Sequence, residues 1–491
     1  MSPLGRFVCL TAILFGATQQ LFADAFTYVD ERGAEITTQA TLTGTGQGFH
    51  ALERWDGQIQ LIPTGSLQNR DATGDPEPID SVGMQELLSE LFGEENVRFD
   101  EKAPFLVCMV IDGELDKQGE QRCSTFLKKA STFMKNVDSV FMRFAKQMRF
   151  PTRDLRYPLV LLIFESDQAF EKYADLATGG RSVSAVNIAG FYSSLTNWLA
   201  VRMSSCDTFE VPLHEAIHQQ MYNRVLQRLA PIPKWFDEGI ATGFEADGQN
   251  IKVHPLQVNS RYARQAQRLS TGVDWQAIIA NDGAFTADVL AGDAYTLAWC
   301  LHWMLVTTDD AAYRRYVEHL ADLEPLADQQ TQERVRNFEA AFDRTATELQ
   351  AAFAQAIDLG IKRQKVDLRD KTRPGFVETQ QHLGAVQLKA IGNGLGSIGA
   401  EGKIKNISPL RSMTFYVTIE TAGGQYTGWL ITDLRPSQTA NLAAQIANRP
   451  IPGARPSPAT SFQVWIRSVA AGSAAAERWK AGELPGPVMG Q

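Results

Sequence analysis

The sequence predicts an α+β protein with a largely helical middle between two β-rich ends, and three observations carry that prediction. Short stretches of alternating apolar and polar residues lie towards both termini, the period-two mark of half-buried strands. In the middle, Cys123, Phe126, Leu127, Ala130, Phe133, Met134, Val137, Val140, Phe141 and Phe144 recur three and four residues apart, which makes one face of a long helix. Two apolar runs, 105–111 and 157–164, bracket that helix and read as strands.

The 491 residues suffice for two to four folded units at roughly 100–200 residues each. Hydrophobic residues make up 44% and charged residues 21%, ordinary globular usage, which excludes collagen-like, coiled-coil and wholly disordered classes. Lys plus Arg number 47 against 56 Asp plus Glu, a net charge of −9 that offers no polybasic footprint for phosphates, so no nucleic-acid partner is expected.

In chain order, residues 1–25 read as an export signal. Arg6 supplies the positive region, 7–17 the apolar stretch, and Ala23-Asp24-Ala25 a small-x-small cleavage site. The apolar stretch is too short to span about 30 Å of hydrocarbon. No later segment is long enough either, so no integral membrane segment is expected after cleavage, and the mature chain is placed in the periplasm or outside the cell. Cys9 would leave with the signal. For Cys108, Cys123, Cys206 and Cys300 three disulfide pairings stay open, as does a role as small buried hydrophobes.

Residues 26–72 read as a small β module: alternation at 35–42 and 48–55, a two-residue hairpin turn at Asp56-Gly57, then 58–62. The polar stretch 71–80, with Gly74, Pro76 and Pro78, has linker composition. The middle domain is expected over 81–370. Ser81 can cap a helix running through Phe92, Pro151 stops the long helix, 189–203 is β-rich, and 211–359 is mostly helical. Strands at 402–407, 413–420, 425–432, 440–446 and 462–468, with a turn at Ala422-Gly423-Gly424, predict a β-sandwich over 380–470. It resembles the small β-sandwich modules appended to many secreted bacterial proteins. The remainder, 471–491, is rich in Ala, Gly and Pro and reads as a flexible tail.

One motif carries chemistry. In His214-Glu215-Ala216-Ile217-His218 the histidines stand four apart, so on a helix both project from one face and can hold one zinc ion. Glu215 lies between them, placed to take a proton from an activated water and return it to a leaving amine. Pro212 suits a first helical turn, and Leu213, Ile217, Met221 and Leu226 supply a docking face. Twenty residues after His218 stands Glu238, a carboxylate of the kind that completes two histidines. Asp237 is its neighbour and the alternative if the register shifts by one. Glu245, two turns on, reads equally as a residue orienting a histidine or as a solvated helix face. His302 sits among Trp299, Leu301 and Trp303 and reads as a core histidine; His50, His254, His319 and His382 have no partner spacing.

HEAIH together with Trp235-Phe236-Asp237-Glu238-Gly239 resembles the gluzincin zinc metallopeptidases, whose second segment reads Trp-x-x-Glu-Gly. The resemblance implies a zincin-like domain flanked by the two β modules, with His214, His218 and Glu238 as ligands of one zinc per chain and Glu215 as catalytic carboxylate. Over about 100–359 the chain is also similar to a family of uncharacterised secreted proteins with a gluzincin-like domain, through Gly190-Phe191-Tyr192 and the run 295–305. By the same resemblance, 189–203 includes an edge strand that pairs with extended peptide, and Tyr295, 57 residues after Glu238, donates a hydrogen bond to the tetrahedral oxyanion. Asp237 departs from the Asn usual in aminopeptidase-like relatives, and Gly-x-Met-x-Asn is not visible, which turns the expectation towards an endopeptidase. The expected function is therefore an exported zinc metallopeptidase acting on peptide or protein. The alternative is a catalytically idle zincin fold serving as a binding or envelope-interaction module, with envelope or polysaccharide contact through the β modules left open.

Overall fold

The computed structural model describes residues 24–30, 32–72, 74–178, 188–245, 254–269, 274–285, 291–368, 376–393, 397–421, 426–447 and 462–486. Most of the expected export signal and the expected turn at 422–424 lie outside the described residues. The architecture is α+β, and among the described residues no helix is long and apolar enough to cross a membrane.

Strands β1 (Ala25–Val29), β2 (Glu35–Gly46), β3 (Phe49–Arg54), β4 (Ile59–Pro63) and β5 (Leu67–Asp71) form an antiparallel sheet in the order β4-β3-β2-β1-β5. Phe26, Tyr28, Ala40, Leu52 and Ile62 bury one face of it. The β3–β4 connection is a three-residue loop rather than the expected two-residue turn: Arg54 N–H donates to Gln58 O at 2.8 Å and Gly57 N–H to Arg54 O at 2.9 Å. Gly57 takes φ +78°, the left-handed conformation that closes such loops.

The middle contains α1 (Ser81–Phe92), β6 (Val97–Lys102), β7 (Phe105–Val110), α2 (Lys117–Met148), β8 (Leu159–Phe164), α3 (Asp167–Ala177), β9 (Gly190–Tyr192) and β10 (Leu199–Arg202). Helix α1 starts where expected, but its cap is Asp80, whose carboxylate accepts Gly83 N–H at 2.8 Å; Ser81 is already helical. Strand order is β6-β7-β8-β10-β9, with β7, β8 and β10 parallel and β6 and β9 antiparallel on the edges. Strands β7 and β8 are buried at every position because both faces are covered, which is why they read as unbroken apolar runs. Phe105, Val107, Met109, Leu161 and Val201 face the core that holds α2, whereas Leu106, Cys108, Leu162, Phe164 and Ala200 face the core under α1 and α3. Cys108, Cys123, Cys206 and Cys300 are all buried free thiols.

Among the described residues eight further helices follow: α4 (Glu210–Arg224), α5 (Lys234–Phe244), α6 (Ser260–Leu269), α7 (Trp275–Ala280), α8 (Ala291–Thr308), α9 (Asp310–Ala321), α10 (Thr331–Phe342) and α11 (Ala346–Gln364). Every residue of α5 from Trp235 to Phe244 is buried. Gly239 lets it press on α8: a Cβ there would lie 2.7 Å from Ala298 O and 2.8 Å from His302 Cβ. His302 is a core residue, its Nε2 2.5 Å from the Tyr313 hydroxyl.

The C-terminal strands are β11 (Phe376–Gln381), β12 (Gly384–Asn393), β13 (Ser397–Asn406), β14 (Met413–Thr421), β15 (Tyr426–Leu434), β16 (Thr439–Ala447) and β17 (Phe462–Ala470). They form two sheets, β11-β12-β13-β16 and β15-β14-β17, packed face to face through Leu388, Ile404, Phe415, Val417 and Ile466. Strands β11 and β12 escape the sequence reading, and β11 begins ahead of the expected boundary at 380. The stretch read as a flexible tail contains α12 (Ala474–Lys480), capped by Ser473 on Ala476 N–H at 3.2 Å. This β region is tied to the middle by Arg411, whose guanidinium reaches Glu165 at 2.5 and 3.0 Å.

Candidate metal centre

Helix α4 presents His214 and His218 on one face, one turn apart, as the four-residue spacing requires. The close α5–α8 approach allowed by Gly239 carries Glu238 to the same point. His214 Nε2 lies 3.1 Å from Glu238 Oε2 and 3.1 Å from His218 Nε2, and His218 Nε2 lies 3.5 Å from Glu238 Oε2. Ligands of a tetrahedral zinc at 2.0–2.1 Å are about 3.3–3.4 Å apart, so this triangle has the dimensions of a zinc donor set. Among the described residues these three form the candidate metal-holding group.

The other ring nitrogens are held by carboxylates. His214 Nδ1 is 2.7 Å from Glu245 Oε1, and His218 Nδ1 is 2.8 Å from Asp237 Oδ1. Each carboxylate accepts the Nδ1 proton, which turns the Nε2 lone pairs towards Glu238. Glu245 is itself fixed by the Tyr262 hydroxyl at 2.6 Å, and Asp237 by Lys234 Nζ at 3.1 Å. Of the two readings open for Glu245, the orienting one describes the geometry. Asp237 lies behind His218, while Glu238 faces the donor point.

Four carboxylates, Glu215, Asp237, Glu238 and Glu245, crowd two imidazoles and one lysine. Burial opposes charge on His218, yet Asp237 and Glu238 outweigh it and raise its pKa to about 10. Burial likewise opposes charge on His214, and Glu238 and Glu245 still hold its pKa well above the usual histidine range. Glu238, despite burial, is held well below the usual carboxylate range by His218 and His214. The cluster thus favours positive charge at its centre, and a divalent cation fits that demand and the donor set alike.

Glu215 stands beside the donors at the cleft. Tyr192 N–H, from edge strand β9, donates to its Oε2 at 2.9 Å, and burial raises its pKa. The cleft measures about 610 Å³, and its walls include Gly190, His214, Glu215, Tyr262 and Tyr295. The Tyr295 ring centroid is 6.3 Å from that of His214, and burial together with Glu238 and Glu215 raises its hydroxyl pKa. Of the five sequence-predicted site residues, His214, Glu215 and Tyr295 line the cleft, and His218 and Glu238 meet His214 at the donor point behind it. Missed by the sequence reading were Tyr262, Arg261 and Gln380, the last from β11. No local pattern marks them, because they reach the cleft from elements remote in the chain.

Against known families, one relationship emerges. Residues 211–327 match DUF1570, a protein family of unknown function. The matched stretch opens at the second residue of α4 and holds His214, Glu215, His218, Glu238, Glu245 and Tyr295. No curated protein matches the chain.

Proposed function

We propose that the protein is an exported zinc-dependent metallopeptidase of the gluzincin type, cleaving peptide or protein substrates as an endopeptidase. The observation that carries this reading is the combination of a zinc-sized triangle of donors with a carboxylate, Glu215, beside it on an open cleft. A purely structural metal site has no use for such a carboxylate or such access. The export reading rests on residues 1–25 and is supported by their composition.

His214, His218 and Glu238 would hold the zinc, which when bound would supply a Lewis acid that activates water. The chain's own groups do the rest. Edge strand β9 offers its outer side to an extended peptide. Glu215, aimed by the Tyr192 N–H, takes a proton from the attacking water and delivers it to the leaving amine. Tyr295 donates to the substrate oxygen as negative charge develops there. Asp237 and Glu245 keep both imidazoles in one tautomer and orientation.

The test is Glu215→Gln in the full chain, measured for zinc content and for degradation of an unfolded protein. Gln retains the shape but accepts no proton, so zinc stays near one per chain while hydrolysis is abolished. Undiminished turnover in that variant ends the metallopeptidase reading.

A further inference from the structure

A second cavity, of about 340 Å³, lies across the central sheet from the two histidines. The strand alternation that points Leu161 and Val201 into the α4 core points Leu162, Phe164 and Ala200 the other way, under α1 and α3. Between those two helices the cavity is floored by Phe92, Phe164, Tyr173 and Trp198. The rings are set as a packed aromatic cluster: Phe92 meets Phe164 edge-on at 5.7 Å, and Phe164 stacks on Tyr173 at 5.3 Å.

Two features distinguish this cavity from a packing defect. Its rim carries Leu91 and Leu176, large apolar side chains left 37% and 39% exposed where most of their kind are buried. Lys172 and Asp112 both line the mouth, and neither side chain has an ion pair or hydrogen bond among the described residues.

We propose that this cavity binds a free amino acid with an aromatic or branched aliphatic side chain. The side chain enters the aromatic floor, the carboxylate faces Lys172, and the ammonium faces Asp112. An apolar body explains the floor and the exposed leucines, and a head group bearing both charges explains why one cation and one anion stand unpaired at the same mouth. Most of the affinity comes from burial of the side chain, since exposed ion pairs contribute little. For a ligand of this size a Kd on the order of 0.1–1 mM follows. The inference stands apart from the metallopeptidase reading, because no residue of this cavity lines the metal cleft.

The experiment is calorimetric titration of the full chain with L-phenylalanine and L-leucine, alongside hydrocinnamate, which lacks the ammonium, and phenethylamine, which lacks the carboxylate. Saturable binding of both amino acids is expected, with each truncated analogue about two- to five-fold weaker. Lys172→Ala should bring phenylalanine down to the level of phenethylamine, and Asp112→Ala to that of hydrocinnamate. Ala169→Trp, which fills the cavity, should abolish binding, and Glu215→Gln should leave it unchanged. Both charge substitutions lie at exposed positions, so they decide the matter even if Ala169→Trp does not fold. Absence of saturable phenylalanine binding overturns the proposal, and so does binding indifferent to all three cavity substitutions. Hydrocinnamate and phenethylamine binding as tightly as phenylalanine would overturn the amino-acid assignment.

Discussion

Removing Glu245 tests whether the carboxylates behind the histidines serve a metal. Its Oε1 holds His214 Nδ1 at 2.7 Å while Oε2 accepts the Tyr262 hydroxyl at 2.6 Å. In Glu245→Ala the His214 ring is free to change tautomer and to swing its Nε2 from the donor point. Partners of this kind typically contribute 10- to 100-fold in metal affinity, about 1.4–2.7 kcal/mol. The same substitution strips the buried Tyr262 hydroxyl of its acceptor, at about 1–3 kcal/mol of folding stability, so a lower Tm alone proves nothing. Glu245→Gln separates the two effects, since an amide oxygen still accepts one of the hydrogen bonds and fills the same volume. It should keep Tm nearer the parent and lose only part of the zinc affinity. Asp237→Ala acts on the other ring, through His218 Nδ1 at 2.8 Å, so its loss should add to that of Glu245→Ala and give about 10²- to 10⁴-fold in the double variant. The assay is zinc competition against a chelator at neutral pH, with Tm measured in parallel on the metal-free chain. If both alanine variants hold zinc within about twofold of the parent, the orienting role is wrong.

Two further expectations follow from other positions. Tyr295→Phe should lower kcat about 10²- to 10³-fold with KM and zinc content little changed, because the hydroxyl acts where charge develops; near-normal kcat with a lower Tm would make Tyr295 a packing residue. Burial depresses the pKa of His302 to about 3 from an ordinary 6.5, so the folded state resists a proton that the unfolded chain accepts. The sign is therefore that His302 contributes fully above about pH 6.5, and stability falls by on the order of 1.4 kcal/mol per pH unit below it. His302→Leu should flatten the acid limb of a Tm-against-pH curve by that slope, and an unchanged limb refutes the assignment.

Much of the candidate metal centre is legible in the chain because its geometry is local. A helix of 3.6 residues per turn places His214 over His218 whatever the rest of the fold does, and Glu215 must lie beside them. Strands β7 and β8 and helix α2 are equally legible, since long apolar runs and a long amphipathic face have few ways to be buried. Glu238 needed the motif around it as well as its own type. Its place in the site depends on α5 pressing against α8 at Gly239, a contact between segments some sixty residues apart.

What only the tertiary structure decided is which acids stand behind which imidazole. Asp237 and Glu245 flank Glu238 in sequence, and periodicity alone made Glu245 as good a surface residue as a partner of His214. The choice came from α5 being buried along almost its whole length, which leaves little solvent for either carboxylate and turns them to the imidazole N–H groups, Lys234, Tyr262 and Arg261. The arrival of Gln380 in the cleft wall and the cavity under Trp198 are likewise consequences of packing between distant elements. Strands β11 and β12 escaped notice, and α12 lay within a stretch composed like a tail, because short elements take their stability from the surfaces they dock on rather than from their own composition.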